Sequence, residues 1–467
     1  MNRLTLFLWA CLVSVFIILS PCALSAANPE GDSLPVAAGM CANKAAGLIK
    51  KKDYAKAVQQ IESFQAKAKN VDPDTANKKG YTHYYLDFLV GNCCIMMEKQ
   101  GDGYVKKAAL YYERAVKKYD GFYQAWLNLG QCRYTLKQMG KAARAFIRGY
   151  DMAPEKKGAY LYQAAACYYF NAEYNNALNA FNRLIKTHPA DVTLDRKEVL
   201  VNILFSLKKN RRALPYLREL AAKSKGDKKR TWQEVLLYQY MELGMDKQAV
   251  AYAGELTRQE PEEPKWWRAL ANIHLNKNRL EKGLEAFMIY SFTTPLSASE
   301  TKLLADLYAG CNIPLEAARA YEAWLLKIQK DPANLIAAKG KKRTDRFLTI
   351  AQAYLQGRDY QTALKWADKG LAQGCGARLL AFKADLLFRE KKYKSAYVAY
   401  KRLAGRGNSP GRSWLMAGYA ALSCDNPEEA KQAFSLACKC PKVKSAALAA
   451  LEQIGAMQAA KAHNPLL

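Results

Sequence analysis

Histidine is scarce in this chain, with four residues among 467: His83 at the start of a predicted helix, His188 before Pro189 in a turn, His274 at a core position and His463 in the tail. Imidazole is the usual source of acid–base and metal chemistry near neutral pH. No HExxH, GxSxG, phosphate-loop or GxGxxG pattern offers another route. The sequence therefore gives no basis for an enzyme, and neither a cofactor nor a metal site is expected. Twelve cysteines include no CxxC pair, which removes the usual structural zinc pattern. Beyond residue 19 there is no long uninterrupted apolar run, so no spanning helix is expected downstream.

Acidic residues are also in short supply, at 42 against 71 Lys plus Arg, for a net charge of +29. Such a balance suits anionic partners. The N-terminus narrows the choice. Arg3 precedes an apolar stretch from Leu4 to Leu19, broken only by Thr5 and Ser14, and then come Ser20-Pro21 and the small-residue run Ala23-Leu24-Ser25-Ala26-Ala27. That order predicts a secretory signal peptide over residues 1–27, cleaved near Ala26 or Ala27, with residues 28–35 as a short linker. An uncleaved anchor is the competing reading, but the apolar stretch is short for a spanning helix. Leu19-Ser20-Pro21-Cys22 resembles a lipoprotein box, in which Cys22 would be acylated, although Pro21 stands where that box has a small residue.

Export places the mature chain in the periplasm and argues against nucleic acid. The remaining anionic partners are membrane head groups met peripherally, anionic surface polymers and acidic protein segments. A solubilising surface is the plainer reading of the charge. Many cations fall in predicted turns, at Lys50-Lys51-Lys52, Lys208-Lys209, Arg211-Arg212, Lys228-Lys229-Arg230, Lys341-Lys342-Arg343 and Lys391-Lys392.

What the sequence has in abundance is recurrence. A small residue returns at Ala57, Ala108, Ala142, Ala177, Ala213, Ala249, Gly283, Ala317, Ala363, Ala396 and Ala430, with gaps of 51, 34, 35, 36, 36, 34, 34, 46, 33 and 34. The clearest unit runs from Tyr123 to Lys156, with Trp126, Leu129, Gly130 and Tyr134 on its first helix, Ala142, Phe146 and Gly149 on its second, and Pro154 closing it. Small residues at Gly130 and Ala142 let two helices approach closely, and aromatics fill the space beside them. In this register Cys93, Cys132 and Cys167 share one interior position and read as small core residues. The stretch from Val443 to Lys461 puts Ala447, Leu448, Leu451, Ile454 and Met457 on one face, as a capping helix requires.

These units resemble the tetratricopeptide repeat (TPR) family, across about residues 36 to 441. The resemblance implies an all-α TPR solenoid, a right-handed superhelix of about eleven helix pairs with a C-terminal capping helix. Its expected parts are an N-terminal array over 36–333, a basic linker or insertion over 334–343, a C-terminal array over 344–441, and a capping helix and tail over 442–467. A second insertion, near Asn70 to Thr82, reads as a loop or helix extension. Family members are mainly scaffolds and peptide or protein binders, with a groove lined by positions 2, 5, 9, 12 and 13 of each first helix, counting Trp126 as position 4.

Carried over residue by residue, that pattern gives an uneven groove. Its N-terminal half presents Tyr85, Phe88, Asn92, Tyr134, Tyr162, Tyr169 and Phe170. These aromatics either anchor an apolar or extended partner or pack against neighbouring repeats. Farther along come Lys265, Arg268 and Asn272, then Arg378 and Arg389. Lys265, Arg268 and Asn272 resemble the residue types with which chaperone-binding TPR domains clamp a terminal carboxylate, though Asp306, four residues after Lys302, leaves that set incomplete. Solvated mixed-charge helix faces are the alternative.

Residues 265 to 325, with the paired Trp266-Trp267 and the stretch from Leu303 to Pro314, further resemble the middle of TPR proteins that accompany TonB, ExbB and ExbD energy-transduction systems. The expectation is an exported, periplasmic protein-binding scaffold, with acidic envelope protein segments or TonB-type components as partners. An envelope assembly or export factor binding anionic polysaccharide or cell wall is the alternative.

Overall fold

The computed structural model describes residues 33–97, 102–329, 341–406 and 410–463. The expected signal peptide with Cys22, most of the short linker and residues 334–340 of the basic insertion lie outside them. The described residues contain 24 helices and no strand. They fall into two compact units divided after Gln239.

In the first unit, α1 (Val36–Lys50) pairs with α2 (Tyr54–Ala66), and α3 (Pro73–Lys79) follows alone. Then come α4 (Tyr84–Met96) with α5 (Asp102–Lys118), α6 (Tyr123–Thr135) with α7 (Met139–Met152), α8 (Gly158–Phe170) with α9 (Tyr174–Thr187), and α10 (Leu194–Ser206) with α11 (Asn210–Lys223). The division falls inside α12 (Gly226–Glu242), which α13 (Asp246–Gln259) follows in the chain. The second unit continues with α14 (Pro264–Leu275) and α15 (Leu280–Thr293), α16 (Ala298–Gly310) and α17 (Pro314–Gln329), and α18 (Lys341–Gln356) and α19 (Tyr360–Ala372). It ends with α20 (Ala377–Arg389) and α21 (Tyr393–Ala404), α22 (Pro410–Leu422) and α23 (Pro427–Cys438), and the single α24 (Lys444–His463).

The recurring small residue is the hinge of this packing. Ala57, Ala108, Ala142, Ala177, Ala213, Ala249, Ala317, Ala363, Ala396 and Ala430 are all 0% exposed. Opposite them, a methyl group on Gly130 would stand 2.8 Å from Cδ1 of Phe146, and one on Gly418 would stand 2.5 Å from Cε1 of Phe434. The aromatic ring of the second helix lies flush on the first, and only glycine leaves room for it.

One device closes the turns inside the pairs. Lys52, Lys137, Ala172, Lys208, Gly244, Asn278, Asn312, Arg358, Lys391 and Asp425 all take positive φ, between +55° and +65°. At the α6–α7 turn the Lys137 N–H donates to the Tyr134 carbonyl at 2.9 Å and the Gln138 N–H to the Arg133 carbonyl at 2.8 Å. This satisfies carbonyls at the end of the first helix and reverses the chain.

Three expectations need correction. Arg211-Arg212 lies in the first turn of α11, Lys228-Lys229-Arg230 lies inside α12 and Lys341-Lys342-Arg343 opens α18, so none of these three clusters is a turn. Residues 70–82 hold a short helix, with Asp72 accepting from the Thr75 N–H at 2.9 Å at its start and Gly80 at φ +69° at its end. The capping helix buries Ala447, Ala450 and Ile454, while Leu448 and Met457 are 44% and 47% exposed. Two of the five residues assigned to its buried face therefore point to solvent. Cys93, Cys132 and Cys167 are buried as expected, and burial pushes the Cys93 and Cys167 thiols up to about 12, which keeps them protonated and inert.

Candidate partner-binding face

The first helices supply the candidate positions, and in the first unit their aromatics split into two groups. Phe88 is 4% exposed, with its ring centroid 4.7 Å from Phe122 and 5.8 Å from Tyr112. It belongs to the core and cannot line a groove, which corrects the expectation for it. Tyr85 is half-buried beside it, 6.3 Å away between ring centroids. Asn92 is also committed: its Oδ1 accepts from the Tyr112 hydroxyl at 2.7 Å and from Asn128 Nδ2 at 3.2 Å.

The second group is open. Tyr134 on α6 and Tyr162 on α8 are half-buried, the Arg196 guanidinium lies 4.9 Å from the Tyr162 ring centroid, and Tyr162 meets Phe181 edge-on at 6.4 Å. Burial pushes the Tyr162 phenol up; nearby Arg196 opposes this, while Asp195, Glu198 and Tyr134 add to it. Farther along α8, Tyr169 lies 5.6 Å from Phe170 and 5.8 Å from Tyr174, and Phe170 is 44% exposed. This row is bounded by an acidic site. Lys228 Nζ bonds Asp195 at 2.9 Å and Glu198 at 2.6 Å, and Glu198 also accepts from Trp232 Nε1 at 3.3 Å. Partial burial disfavours the Lys228 charge, but the hydrogen bonds from Glu198 and Asp195 outweigh it and hold the ammonium above its ordinary value.

In the second unit Lys265, Arg268 and Asn272 are exposed on α14, yet they do not form a vacant clamp. Arg268 Nη2 lies 3.3 Å from Glu300 Oε1 on α16, and its guanidinium covers Tyr290 at 5.9 Å. Glu300 further accepts from the Tyr290 hydroxyl at 3.0 Å and from the Ser297 N–H at 3.0 Å. The cation expected to hold a partner's carboxylate already holds one from its own chain. Arg378 is likewise paired, to Asp345 at 2.5 Å. Arg389 is exposed and, among the described residues, has no carboxylate at ion-pair distance. Asn272 is exposed and makes no side-chain hydrogen bond among them.

Two rules of partnering escaped the sequence reading, although both leave a trace in it. Opposite charges about one repeat apart face each other across neighbouring repeats: Lys228 and Asp195, Arg378 and Asp345, Arg268 and Glu300, Arg183 and Asp151. The second concerns position 9. Tyr replaces Phe four residues after the recurring Ala only at Tyr112, Tyr321 and Tyr400. Their hydroxyls donate to Asn92 at 2.7 Å, Asp306 at 2.8 Å and Asp385 at 2.6 Å, each at position 9 of the first helix of the same pair. Asp87 is the other omission. It is 0% exposed at position 4 of α4, where α6 has Trp126, and it takes Arg114 at 3.1 Å, Gln65 at 3.1 Å and Lys118.

The described residues hold no cluster of metal-ligating side chains and no helix long and apolar enough to cross a membrane. The face offers ring surface, one unbonded amide and a few cations, which is recognition chemistry. The family model described as tetratricopeptide repeat matches residues 100–157 and 247–290, which here form α5 with α6 and α7, and α13 with α14 and α15. These stretches are tetratricopeptide repeats. TPR units are protein-interaction scaffolds and are generally non-catalytic.

A comparison with curated proteins finds no match. Solved structures similar to the chain include YrrB, a TPR protein with an unusual peptide-binding site, at 16% identity and a TM-score of 0.30 over 39% of this chain and 92% of that one. They also include a TPR protein from Parabacteroides merdae, at 15% identity and a TM-score of 0.30 over 58% of this chain and 98% of that one. The repeat assignment rests on the family match and on the helix pairing.

Proposed function

We propose that this TPR chain is an exported scaffold that holds a protein partner in the periplasm, gripping an extended segment along the first-helix face of its first unit. The observation that carries this reading is the open aromatic row Tyr134, Tyr162, Tyr169 and Phe170, with Phe170 44% exposed at a position the core does not need. Aromatic side chains at the centre of an interface supply large contact area at low entropic cost. The apolar N-terminus followed by small residues supports export. The resemblance of residues 265 to 325 to TPR proteins that accompany TonB, ExbB and ExbD supports an energy-transduction complex as the setting.

Photo-crosslinkers at Tyr162 and Phe170 in intact cells test the proposal. The expected result is an adduct with an envelope protein, weakened by Tyr134→Ala; adducts with a TonB-type component would identify the setting. Absence of envelope adducts from both positions overturns the groove reading, and recovery of the mature chain in the cytoplasmic fraction overturns export.

Unpaired turn cations favour a second reading, in which the chain binds an anionic envelope polymer. Lys51, Lys52 and Lys208 are exposed and have no carboxylate partner among the described residues. Retention on such a polymer that falls steeply with salt, and that Lys51→Glu with Lys52→Glu abolishes, is its expected signature.

A further inference from the structure

The second unit contains a groove that the first-helix face does not account for. It lies between α19 and α21, the second helices of successive pairs, with α20 beneath, and has a volume of about 700 Å³. Its floor is aliphatic: Leu380 and Leu387 are 3% and 6% exposed, Leu371 is half-buried, and Val398 stands 60% exposed above them. Its rim is cationic. Lys383 and Asp368 form a pair, while Lys394 and Arg402 are exposed and have no carboxylate partner among the described residues.

We propose that this groove docks an amphipathic, acidic helical segment of a partner protein, seating its apolar residues on Leu371, Leu387 and Val398 and its carboxylates on Lys394 and Arg402. The proposal does not depend on the first-helix face being occupied. Charge complementarity selects the occupant. The rim has three cations and one acid, and that acid is already neutralised, so an acidic helix gains two partners and a basic one gains none. The recessed floor selects a protein over a membrane. Leu380 and Leu387 lie below the charged rim, where a protruding side chain reaches them and a flat bilayer surface does not. Ridge-like side chains at i, i+3, i+4 and i+7 are the form that enters such a trough.

Fluorescence anisotropy with the full chain tests this. The probe is a 14-residue peptide with Leu at i, i+3, i+4 and i+7 and Glu elsewhere, compared with a peptide of the same composition with the Leu scattered and with one carrying Lys in place of Glu. The patterned Glu peptide is expected to bind best. Lys394→Glu with Arg402→Glu should weaken it by about tenfold and reverse the preference toward the Lys peptide. Val398→Asp should weaken both peptides.

Tyr162→Ala with Phe170→Ser, on the first-helix face, should leave binding unchanged, which separates failure of this proposal from failure of the aromatic-row reading. Equal binding of patterned and scattered peptides overturns it, as does an unchanged affinity in the double charge reversal. A double reversal that releases the chain from phosphatidylglycerol vesicles without affecting the peptide also overturns it.

Discussion

The two units use one repeat template but join their helices differently, and the contrast shows where a repeat protein can tolerate charge. The first unit carries surface pairs such as Arg183 with Asp151, but it also has an internal joint: Asp87 is 0% exposed, and Arg114, Lys118 and Gln65 converge on it from α5 and α2. In the second unit the joints lie on the surface, as between Arg268 and Glu300 or Arg378 and Asp345, where the arginines are 56% and 61% exposed. A buried carboxylate depends wholly on its partners, whereas an exposed pair can return to water.

The largest expected effect breaks that contrast directly. Replacing Arg114 and Lys118 together by Met strands the Asp87 carboxylate and should cost about 3–5 kcal/mol. Arg268→Met should cost less than about 1 kcal/mol, because Glu300 keeps Tyr290 and Ser297 and gains water. Hydrogen exchange reads the two locally: the first change should strip protection from α4 and α5 amides, while the second should leave α14 and α16 nearly unchanged. Equal losses at the two sites would remove the distinction.

Next in size is the Tyr-to-position-9 bond. Tyr400→Phe should cost about 1 kcal/mol by freeing Asp385, and Tyr321→Phe should cost less, because Asp306 keeps its ion pair with Lys302 at 2.7 Å. The Asp385 carboxylate then becomes available on the first-helix face, so a basic peptide should gain affinity for the second unit in Tyr400→Phe, and not in Tyr321→Phe, where Lys302 still holds Asp306. Burial first, and then the hydrogen bond and charge of the facing Asp385, push the Tyr400 phenol well above its ordinary value. The bond therefore persists across the neutral range, and the cost should not vary between pH 6 and pH 8.

These bonds also show what the sequence made legible and what it hid. The recurring small residue, Ala in ten pairs and Gly283 in one, marked every pair because its environment, a close contact of two helices, admits little more than a methyl group; the cap was legible separately, from the apolar face of its helix. Phe88 was misplaced for a related reason. Position 5 is a groove position in the template, but aromatics from α5 and the following turn, Tyr112 and Phe122, close over it. Arg268 shows the limit from the other side. Its residue type matched a carboxylate clamp, and only the facing Glu300, 32 residues on, reveals that the clamp is filled from within. A search for opposite charges one period apart would have found this pair; a helix-by-helix reading does not.

A pH dependence separates the units further. His274 is 7% exposed; burial lowers its pKa, Arg279 and Lys282 add to this, and Glu285 opposes it. A neutral imidazole in the fold means that the unfolded chain binds a proton the folded chain refuses as pH falls below about 6.5. The stability of the second unit should therefore be complete above that pH and decline as pH falls toward the depressed folded value, and His274→Phe should remove that decline. The protection of α14 and α15 amides, compared with α6 and α7 between pH 7 and pH 5, reads it. An equal decline in both pairs would assign the effect to general charge repulsion.

The smallest expected effect sits in the turns. Ala172 holds φ +59° while exposed to solvent, so burial of its methyl group does little to offset the left-handed backbone. Asn312 holds φ +58° in the second unit, but asparagine tolerates that region through local hydrogen bonding. Glycine removes the strain at either site and adds entropy to the unfolded chain, leaving a net gain of about 0.5–1 kcal/mol for Ala172→Gly and close to none for Asn312→Gly. A gain at Asn312 as large as that at Ala172 would show that the left-handed turn strains every residue alike, and that the side chain at this position is irrelevant to the stability of either unit.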